Sequence, residues 1–133
     1  MVRMNMSRRQ RGFTLIELMV VISMMLILLS FAIPMYSRSI LKARETRLKA
    51  DLHTLRNLIE DYTYDKKKAP RSLDELVQEG YLHSLPEDPI ANRSNWDLTM
   101  EIEPLNEGVE IGIADVHSSS NQASTEGTAY SSW

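Results

Sequence analysis

The residues best able to do chemistry lie where a basic segment meets a long apolar run. Glu17 stands at the start of the run Leu18–Tyr36, whose 19 residues carry no charge. A run of this length and polarity is typical of a helix that crosses the hydrocarbon core of a bilayer, about 30 Å thick. An unpaired carboxylate in such a segment costs roughly 2.5 kcal/mol or more. Glu17 therefore needs a partner, a proton or a position near the membrane interface.

The sequence contains no group of residues with the spacing of a catalytic or metal centre. It has no cysteine, and His53, His83 and His117 lack metal-ligand spacing. A glycine-rich phosphate loop and a nucleophile elbow are also absent from the sequence. We therefore expect a protein that is not an enzyme.

The two parts of the chain carry opposite charge. Four of the 15 basic residues lie within 1–12, which holds no acidic residue: Arg3, Arg8, Arg9 and Arg11. Residues 13–133 carry the other 11 basic groups against 18 acidic ones, a net charge of −7. The positive-inside rule keeps the basic segment in the cytoplasm and places the acidic part across the membrane. An acidic body also argues against nucleic-acid binding.

Beyond Tyr36 the sequence continues as an amphipathic helix. Apolar residues recur there at spacings of 7, 4, 3, 4 and 3, at Leu41, Leu48, Leu52, Leu55, Ile59 and Tyr62. This is one apolar stripe at helical period, so we predict a single helix from Phe13 to about Asp65. Pro34 lies inside it and predicts a kink or a locally melted stretch. The alternative is a proline that is simply tolerated in a transmembrane helix.

The next segments predict a short helix and a β-hairpin. Lys66–Lys68 and Pro70 favour the end of the long helix, and Ser72 and Glu75 have the spacing of a capping box for a short helix that Gly80 can close. Apolar residues then alternate with polar ones on both sides of a turn at Asn106–Gly108, namely Trp96, Leu98, Met100 and Ile102 before it and Val109, Ile111 and Ile113 after it.

So small a sheet is marginal in water, and its single apolar face must pack on the helix stripe. The expected fold class is α+β. A long N-terminal helix, membrane-spanning in its first half, packs against a small antiparallel sheet that is followed by an irregular C-terminal loop.

The junction resembles the class III signal of type IV pilins and pseudopilins. It combines Gly12, a Phe directly after it, Glu17 four residues beyond Phe13, the uncharged run and a proline at Pro34. The resemblance implies a pilin-like fold, cleavage between Gly12 and Phe13 by a prepilin peptidase, and methylation of the new amino terminus. Residues 1–12 are then a removed leader, 13–36 the transmembrane and assembly half of the helix, and 37–133 a periplasmic head.

The N-terminus has two other possible interpretations. An ordinary secretory signal fits poorly, because the apolar run exceeds the 7–15 residues of such signals and no small-x-small site closes it. A plain single-pass anchor with an uncut basic tail is the remaining alternative.

Later segments also resemble the major pseudopilins of type II secretion systems. Residues 72–89 resemble their link between long helix and sheet, and Asp115–Ser118, Glu126 and Trp133 resemble their C-terminal loop, where calcium ties the loop to the sheet. That loop carries aspartates after the serine and before the terminal tryptophan, but this chain has Ser119–Asn121 and Ala129–Ser132 in those regions.

The resemblance therefore leaves Asp115, Ser118 and Glu126 as candidate ligands for a calcium ion, which is the one cofactor expected. Without calcium, packing of Tyr130 and Trp133 is expected to hold the loop.

The resemblance implies a structural subunit of a membrane-rooted pseudopilus that drives protein export by a type II secretion system. Glu17 would pair with the methylated Phe13 amino terminus of a neighbour. The implied partners are further copies of the chain, minor pseudopilins, the prepilin peptidase, the inner-membrane assembly platform and membrane lipid, with no nucleic acid. The implied location is the bacterial inner membrane, with the head in the periplasm. The alternatives are a type IV pilin or competence pseudopilin subunit and a membrane-anchored periplasmic binding module.

Overall fold

The computed structural model describes residues 12–105 and 108–133. Its elements are helix α1 (Leu15–Lys66), helix α2 (Leu73–Gln78), strand β1 (Asp97–Leu105), strand β2 (Gly108–His117) and a 3-10 turn (Tyr130–Ser132). The predicted α+β fold, a long N-terminal helix with a small antiparallel sheet and a C-terminal loop, is confirmed. The arginines of the leader and two residues of the predicted turn, Asn106 and Glu107, lie outside the described residues.

The chain divides into two compact units between Ser39 and Ile40. Every described residue of the first unit is exposed. Its serines bond back to the helix, as when Ser23 Oγ donates to the carbonyl of Met19 at 2.8 Å. Hydroxyls satisfied in this way suit a helix surrounded by lipid, where water is absent. The helix continues through Pro34, so a locally melted stretch does not occur there, and the bend stays a prediction.

The core of the second unit, residues 40–133, lies along the predicted stripe of α1. Leu41 is 36% exposed and lies outside this core. The buried part of the stripe runs from Leu48 to Tyr62, and it packs with side chains from α2, the hairpin and the C-terminal segment: Leu73, Leu76, Trp96, Ile113, Val116 and Tyr130.

Helix α1 ends close to the predicted position. Lys67 follows its last residue with φ of 58°, a left-handed conformation that stops the helix. Pro70 lies three residues farther on and cannot continue the helix.

Helix α2 is closed by Gly80, as predicted. Gly80 has φ of +82°, and its N–H donates to Val77 O at 3.2 Å. The N–H of Leu82 donates to Leu76 O at 3.0 Å. These two bonds satisfy carbonyls at the end of the helix.

The capping box predicted at the start of α2 is wrong. Ser72 is the N-cap residue, but its side chain makes no cap hydrogen bond. Glu75 instead accepts from the N–H of Arg71 at 3.0 Å and from the hydroxyl of Tyr62 at 3.3 Å. The buried tyrosine of α1 thus competes for the carboxylate that a capping box would use.

The hairpin pairs antiparallel from Leu105 opposite Gly108 to Asp97 opposite His117. Strand β2 therefore runs on beyond Ile113, and Asp115 lies in the sheet. The register shifts between Thr99 and Met100, since Thr99 pairs with Asp115 and Met100 with Ile113. The extra residue of this bulge, between Ile113 and Asp115, places Val116 on the same face as Ile113 although the two are three residues apart, and both are buried.

The single apolar sheet face predicted from the alternation forms, since Met100 pairs with Ile113 and Ile102 with Ile111, but it is not buried along its whole length. Ile113 is 1% exposed, whereas Ile102 is 60% and Ile111 52% exposed. Gly112 is buried against Ala69 so closely that an added Cβ would lie 2.4 Å from the Ala69 Cβ. Gly112 lies between Ile111 and Ile113 and so belongs to the opposite face, which Ala69 covers there, whereas the apolar face is buried at Ile113 and exposed at Ile111.

Candidate functional site

The start of α1 is capped by Thr14. The N–H of Glu17 donates to Thr14 Oγ1 at 3.2 Å, and the N–H of Leu18 donates to Thr14 O at 3.2 Å. Thr14 is therefore the N-cap residue, and Glu17 occupies the third helical position, where a carboxylate complements the positive end of the helix. Sequence reasoning missed this role of Thr14, although the Thr14-x-x-Glu17 spacing is that of a capping box.

The helix that begins there presents an uncovered apolar surface. It is long and apolar enough to cross a membrane, and no other helix among the described residues passes that test. Phe13 and Glu17 are both exposed. Within residues 12–105 and 108–133, the structure records no ion pair of the Glu17 carboxylate. The Glu17 carboxylate is thus an exposed acidic group near the start of an apolar helix.

The surroundings of Gly12 are open. An ideal Cβ built on Gly12 meets nothing within 4 Å. The absence of a side chain leaves the backbone at the Gly12–Phe13 bond accessible, as cleavage by a peptidase requires. Cleavage at this bond stays a prediction.

Asp115, the first candidate calcium ligand, belongs to strand β2 rather than to the loop. Its carboxylate accepts from Arg56 Nε at 2.6 Å and from the N–H of Val116 at 2.7 Å. Partial burial opposes ionisation, but the bonds from Arg56 and Val116 outweigh it and hold the pKa of Asp115 below its ordinary value. This carboxylate already has a cationic partner.

Ser118 and Glu126, the other two candidates, have separate partners. Ser118 is buried and donates to the carboxylate of Asp88, which also accepts the N–H of Ile90 at 2.8 Å. Glu126 pairs with Lys49 Nζ at 2.5 Å. Across the described part of the chain, no three acidic, histidine or cysteine side chains converge as a metal site.

A buried carboxylate that sequence reasoning missed lies on α1. Glu45 is 4% exposed and accepts three hydrogen bonds, from the Thr125 N–H at 2.7 Å, the Thr125 hydroxyl, and the Tyr130 hydroxyl at 2.8 Å. Burial alone would raise the pKa of Glu45, but these donors hold it below the ordinary value. The sequence does contain a signal for this burial. Glu45 lies four residues after Leu41 and three before Leu48, so it lies on the apolar stripe.

The C-terminal segment is organised around this carboxylate. Ala123 and Ala129 form an isolated bridge, and Gly127, with φ of +85°, makes the turn between them. Burial and the hydrogen bond to Glu45 raise the pKa of Tyr130 to about 12, so this hydroxyl stays a donor at neutral pH. The ring of Tyr130 packs edge-on against Trp133, with 5.1 Å between ring centroids.

The end of the segment is also held by cations of α1. Lys49 Nζ lies 4.4 Å from the centre of the Trp133 ring. Arg56 donates to the backbone oxygens of Val116 at 2.9 Å and of Trp133 at 2.7 Å. His117 Nδ1 lies 2.7 Å from the same Trp133 oxygen.

Comparisons with known proteins identify a motif and several relatives of the chain. Residues 7–33 match the family model described as the prokaryotic N-terminal methylation motif. The chain is 35% identical over 101 residues to type II secretion system core protein G of Aeromonas hydrophila, covering 64% of this chain and 71% of that protein. It is 32% identical over 105 residues to type II secretion system core protein G of Escherichia coli K12, covering 67% and 72%.

A third relative comes from a different system. Competence protein ComGC of Halalkalibacterium halodurans is 34% identical over 73 residues, which cover 55% of this chain and 72% of that protein. No solved structure matches the chain.

The methylation motif, the capped apolar helix and the α+β unit that follows it define a protein of the pilin and pseudopilin class. Its relatives are named as secretion and competence proteins, not as enzymes. The chain belongs to the pseudopilin family of type II secretion system core protein G.

Proposed function

We propose that this chain is the repeating subunit of a membrane-rooted pseudopilus that drives protein export by type II secretion. The observation that carries the proposal is the Glu17 carboxylate at the start of an exposed apolar helix, close to Phe13. A passive anchor gains nothing from a carboxylate there. A subunit that leaves the bilayer to pack beside others can use it to recognise a neighbour.

The proposed contact is an ion pair between subunits. Cleavage after Gly12 would leave a positive amino terminus on Phe13, which Glu17 of an adjacent subunit would bind. Packed helices exclude water, so this charge-assisted hydrogen bond would be strong, and a subunit out of register would leave two charges unpaired. The pair would thereby set the axial offset between subunits.

The proposal includes the location and the partners. The helix would anchor the subunit in the inner membrane, with residues 37–133 in the periplasm. Minor pseudopilins and an inner-membrane assembly platform would join further copies of the chain in the filament system, and a prepilin peptidase would process it.

Subunits of a competence pseudopilus or a type IV pilus are the second candidate function. The similarity to competence protein ComGC favours it. Deleting the gene in its own host separates the two, because the proposal expects loss of exported proteins while DNA uptake and twitching stay normal. Loss of DNA uptake with normal export would move the chain to the second function.

The test of the contact uses three variants that separate charge from helix capping. Glu17→Gln removes the charge and keeps a side chain suited to the capping box, Glu17→Ala removes both, and Thr14→Ala removes the cap but keeps the charge. We expect all three to be inserted and cleaved, as shown by intact mass. Electron microscopy of filaments from cells that overexpress each variant should find none from either Glu17 variant and filaments from Thr14→Ala.

Each alternative outcome has a definite meaning. Normal filaments from Glu17→Gln would contradict the ion pair. Failure of Thr14→Ala alongside Glu17→Ala, with normal Glu17→Gln filaments, would assign Glu17 to helix capping. An intact mass that still includes residues 1–12 in an exporting cell would contradict the proposed cleavage.

A further inference from the structure

We propose that this chain fastens its C-terminal loop to helix α1 through the buried Glu45 carboxylate and without a metal ion. Calcium is the group that the family resemblance implies for this loop. The side chains available to it here do not fit a calcium site, and the loop offers donors to an anion instead.

The acidic side chains of the segment are the first reason. A calcium ion takes six to eight oxygen ligands, several of them carboxylate oxygens. Asp115 and Glu126 are the only acids after Glu110. Each carries a cation at contact distance, Arg56 Nε at 2.6 Å and Lys49 Nζ at 2.5 Å. A calcium ion at either carboxylate would be repelled by that fixed cation or would have to displace it.

The neighbouring acid is no better placed. Asp88 is fully buried, and its carboxylate accepts from the N–H groups of Ile90 at 2.8 Å and Ala91 at 3.0 Å and from the Ser118 hydroxyl. Ser118 therefore uses its hydroxyl proton in a contact that already ties the segment to the α2–β1 connection. This pair holds the loop by a direct hydrogen bond.

Backbone carbonyl groups of the loop accept hydrogen bonds from backbone N–H groups of the same loop. Ser124 N–H donates to Thr128 O at 2.7 Å, Gly127 N–H to Ser124 O at 3.1 Å, and Tyr130 N–H to Gln122 O at 3.1 Å. The loop thus closes on itself by backbone bonds. It needs no ion at its centre to gather its carbonyls.

The groups that the loop presents to α1 have the polarity that suits an anion. The Thr125 N–H, the Thr125 hydroxyl and the Tyr130 hydroxyl all donate to Glu45. Thr125 and Tyr130 lie 80 and 85 residues from Glu45 in sequence, so this one carboxylate joins the C-terminal segment to a distant part of the chain. Hydrogen bonds to a charged acceptor are among the stronger ones in proteins.

The test compares thermal unfolding of the purified full-length chain in detergent, with millimolar calcium and with chelator. We expect equal midpoints for the wild type in the two conditions. Glu45→Gln should lower the midpoint by about 5 °C or more in both, since a buried charged hydrogen-bond network is broken. Glu60→Gln is the matched control, an exposed carboxylate on the same helix, and should leave the midpoint unchanged.

Tyr130→Phe provides a second measurement if Glu45→Gln does not fold. It removes a single donor, and we expect a smaller decrease that is the same with calcium and with chelator. A calcium-dependent rise of the wild-type midpoint that Asp115→Asn or Glu126→Gln abolishes would overturn the proposal. So would a Glu45→Gln midpoint equal to that of Glu60→Gln.

Discussion

At the scale of single residues, two carboxylates on one helix stand in opposite situations. Glu17 is exposed in an apolar segment, and the structure records no ion pair for it among the described residues. Glu45 is buried and accepts three hydrogen bonds from its own chain. Buried charge is tolerated when donors replace the lost water, so Glu45 suits a structural role and Glu17 a contact with another molecule.

The contact between Glu45 and Tyr130 predicts a loss of stability at both ends of the pH scale. The pKa of Glu45 lies below its ordinary 4.5, so its contribution is full above that pH and is lost as pH falls through the lower folded value. The pKa of Tyr130 rises from 10.0 to about 12, so its contribution is full below pH 10.0 and is lost as pH rises toward about 12. Chemical unfolding midpoints across the pH range should therefore fall on both sides.

Two variants test which residue causes the loss of stability on the acid side and on the alkaline side of the pH range. Glu45→Gln should make the acid limb shallower, with some acid loss remaining because the bonds from Arg56 and Val116 outweigh burial and lower the pKa of Asp115. Tyr130→Phe should make the alkaline limb shallower. Some alkaline loss should remain in Tyr130→Phe, because burial also raises the pKa of Tyr62 and a hydrogen bond to Asp65 raises that of Tyr81. An unchanged acid limb in Glu45→Gln would contradict the role of that carboxylate.

Only the part of the candidate site whose residues lie close together in the sequence could be predicted from the sequence. Gly12, Phe13 and Glu17 lie within six consecutive residues, and their significance comes from one another and from the apolar run beside them. The partners of Asp115, Ser118 and Glu126 lie 59, 30 and 77 residues away. Such pairings follow from tertiary packing, and the spacing of residues along the chain does not predict them.

At the scale of elements, sequence periodicity predicted the helix and the hairpin but not how the hairpin packs. The α1 stripe was correct because the helical period persists from Leu48 to Tyr62 with a side chain at each turn. Strand alternation predicts which side chains share a face but not what covers that face, and the face shared by Ile111 and Ile113 is buried at Ile113 and exposed at Ile111. At Gly112, between them, Ala69 covers the opposite face.

The hairpin predicts different effects for two isoleucines of one strand. Ile113→Ala should destabilise the fold by about 2–5 kcal/mol, because it opens a cavity in the core. Ile111→Ala removes the same atoms from an exposed position two residues away and should cost far less. The measurement is chemical unfolding of the two variants in parallel. Equal losses would show that both isoleucines lie in the core, as an apolar face buried along its whole length predicts.

At the scale of the whole molecule, charge and polarity change along the chain in one direction. A basic N-terminal segment, the uncharged run Leu18–Tyr36 and an acidic C-terminal part follow one another. The two compact units meet between Ser39 and Ile40, where the exposed apolar surface gives way to a self-contained core. The segment before this boundary requires lipid or neighbouring helices, whereas the segment after it buries its own apolar stripe.

This order predicts the orientation of the chain in the membrane. The chain has no cysteine. Ser7→Cys in the leader and Ser84→Cys, at an exposed position between α2 and β1, therefore each introduce the single thiol of their variant. In spheroplasts of cells without prepilin peptidase, an impermeant maleimide should label Ser84→Cys at once and Ser7→Cys only after lysis, because the arginines keep the leader inside. Restoring the peptidase should remove the Ser7→Cys signal from the membrane-bound chain and leave that of Ser84→Cys. Labelling of Ser7→Cys in intact spheroplasts would contradict the orientation, and a Ser7→Cys signal that survives the peptidase would contradict removal of the leader.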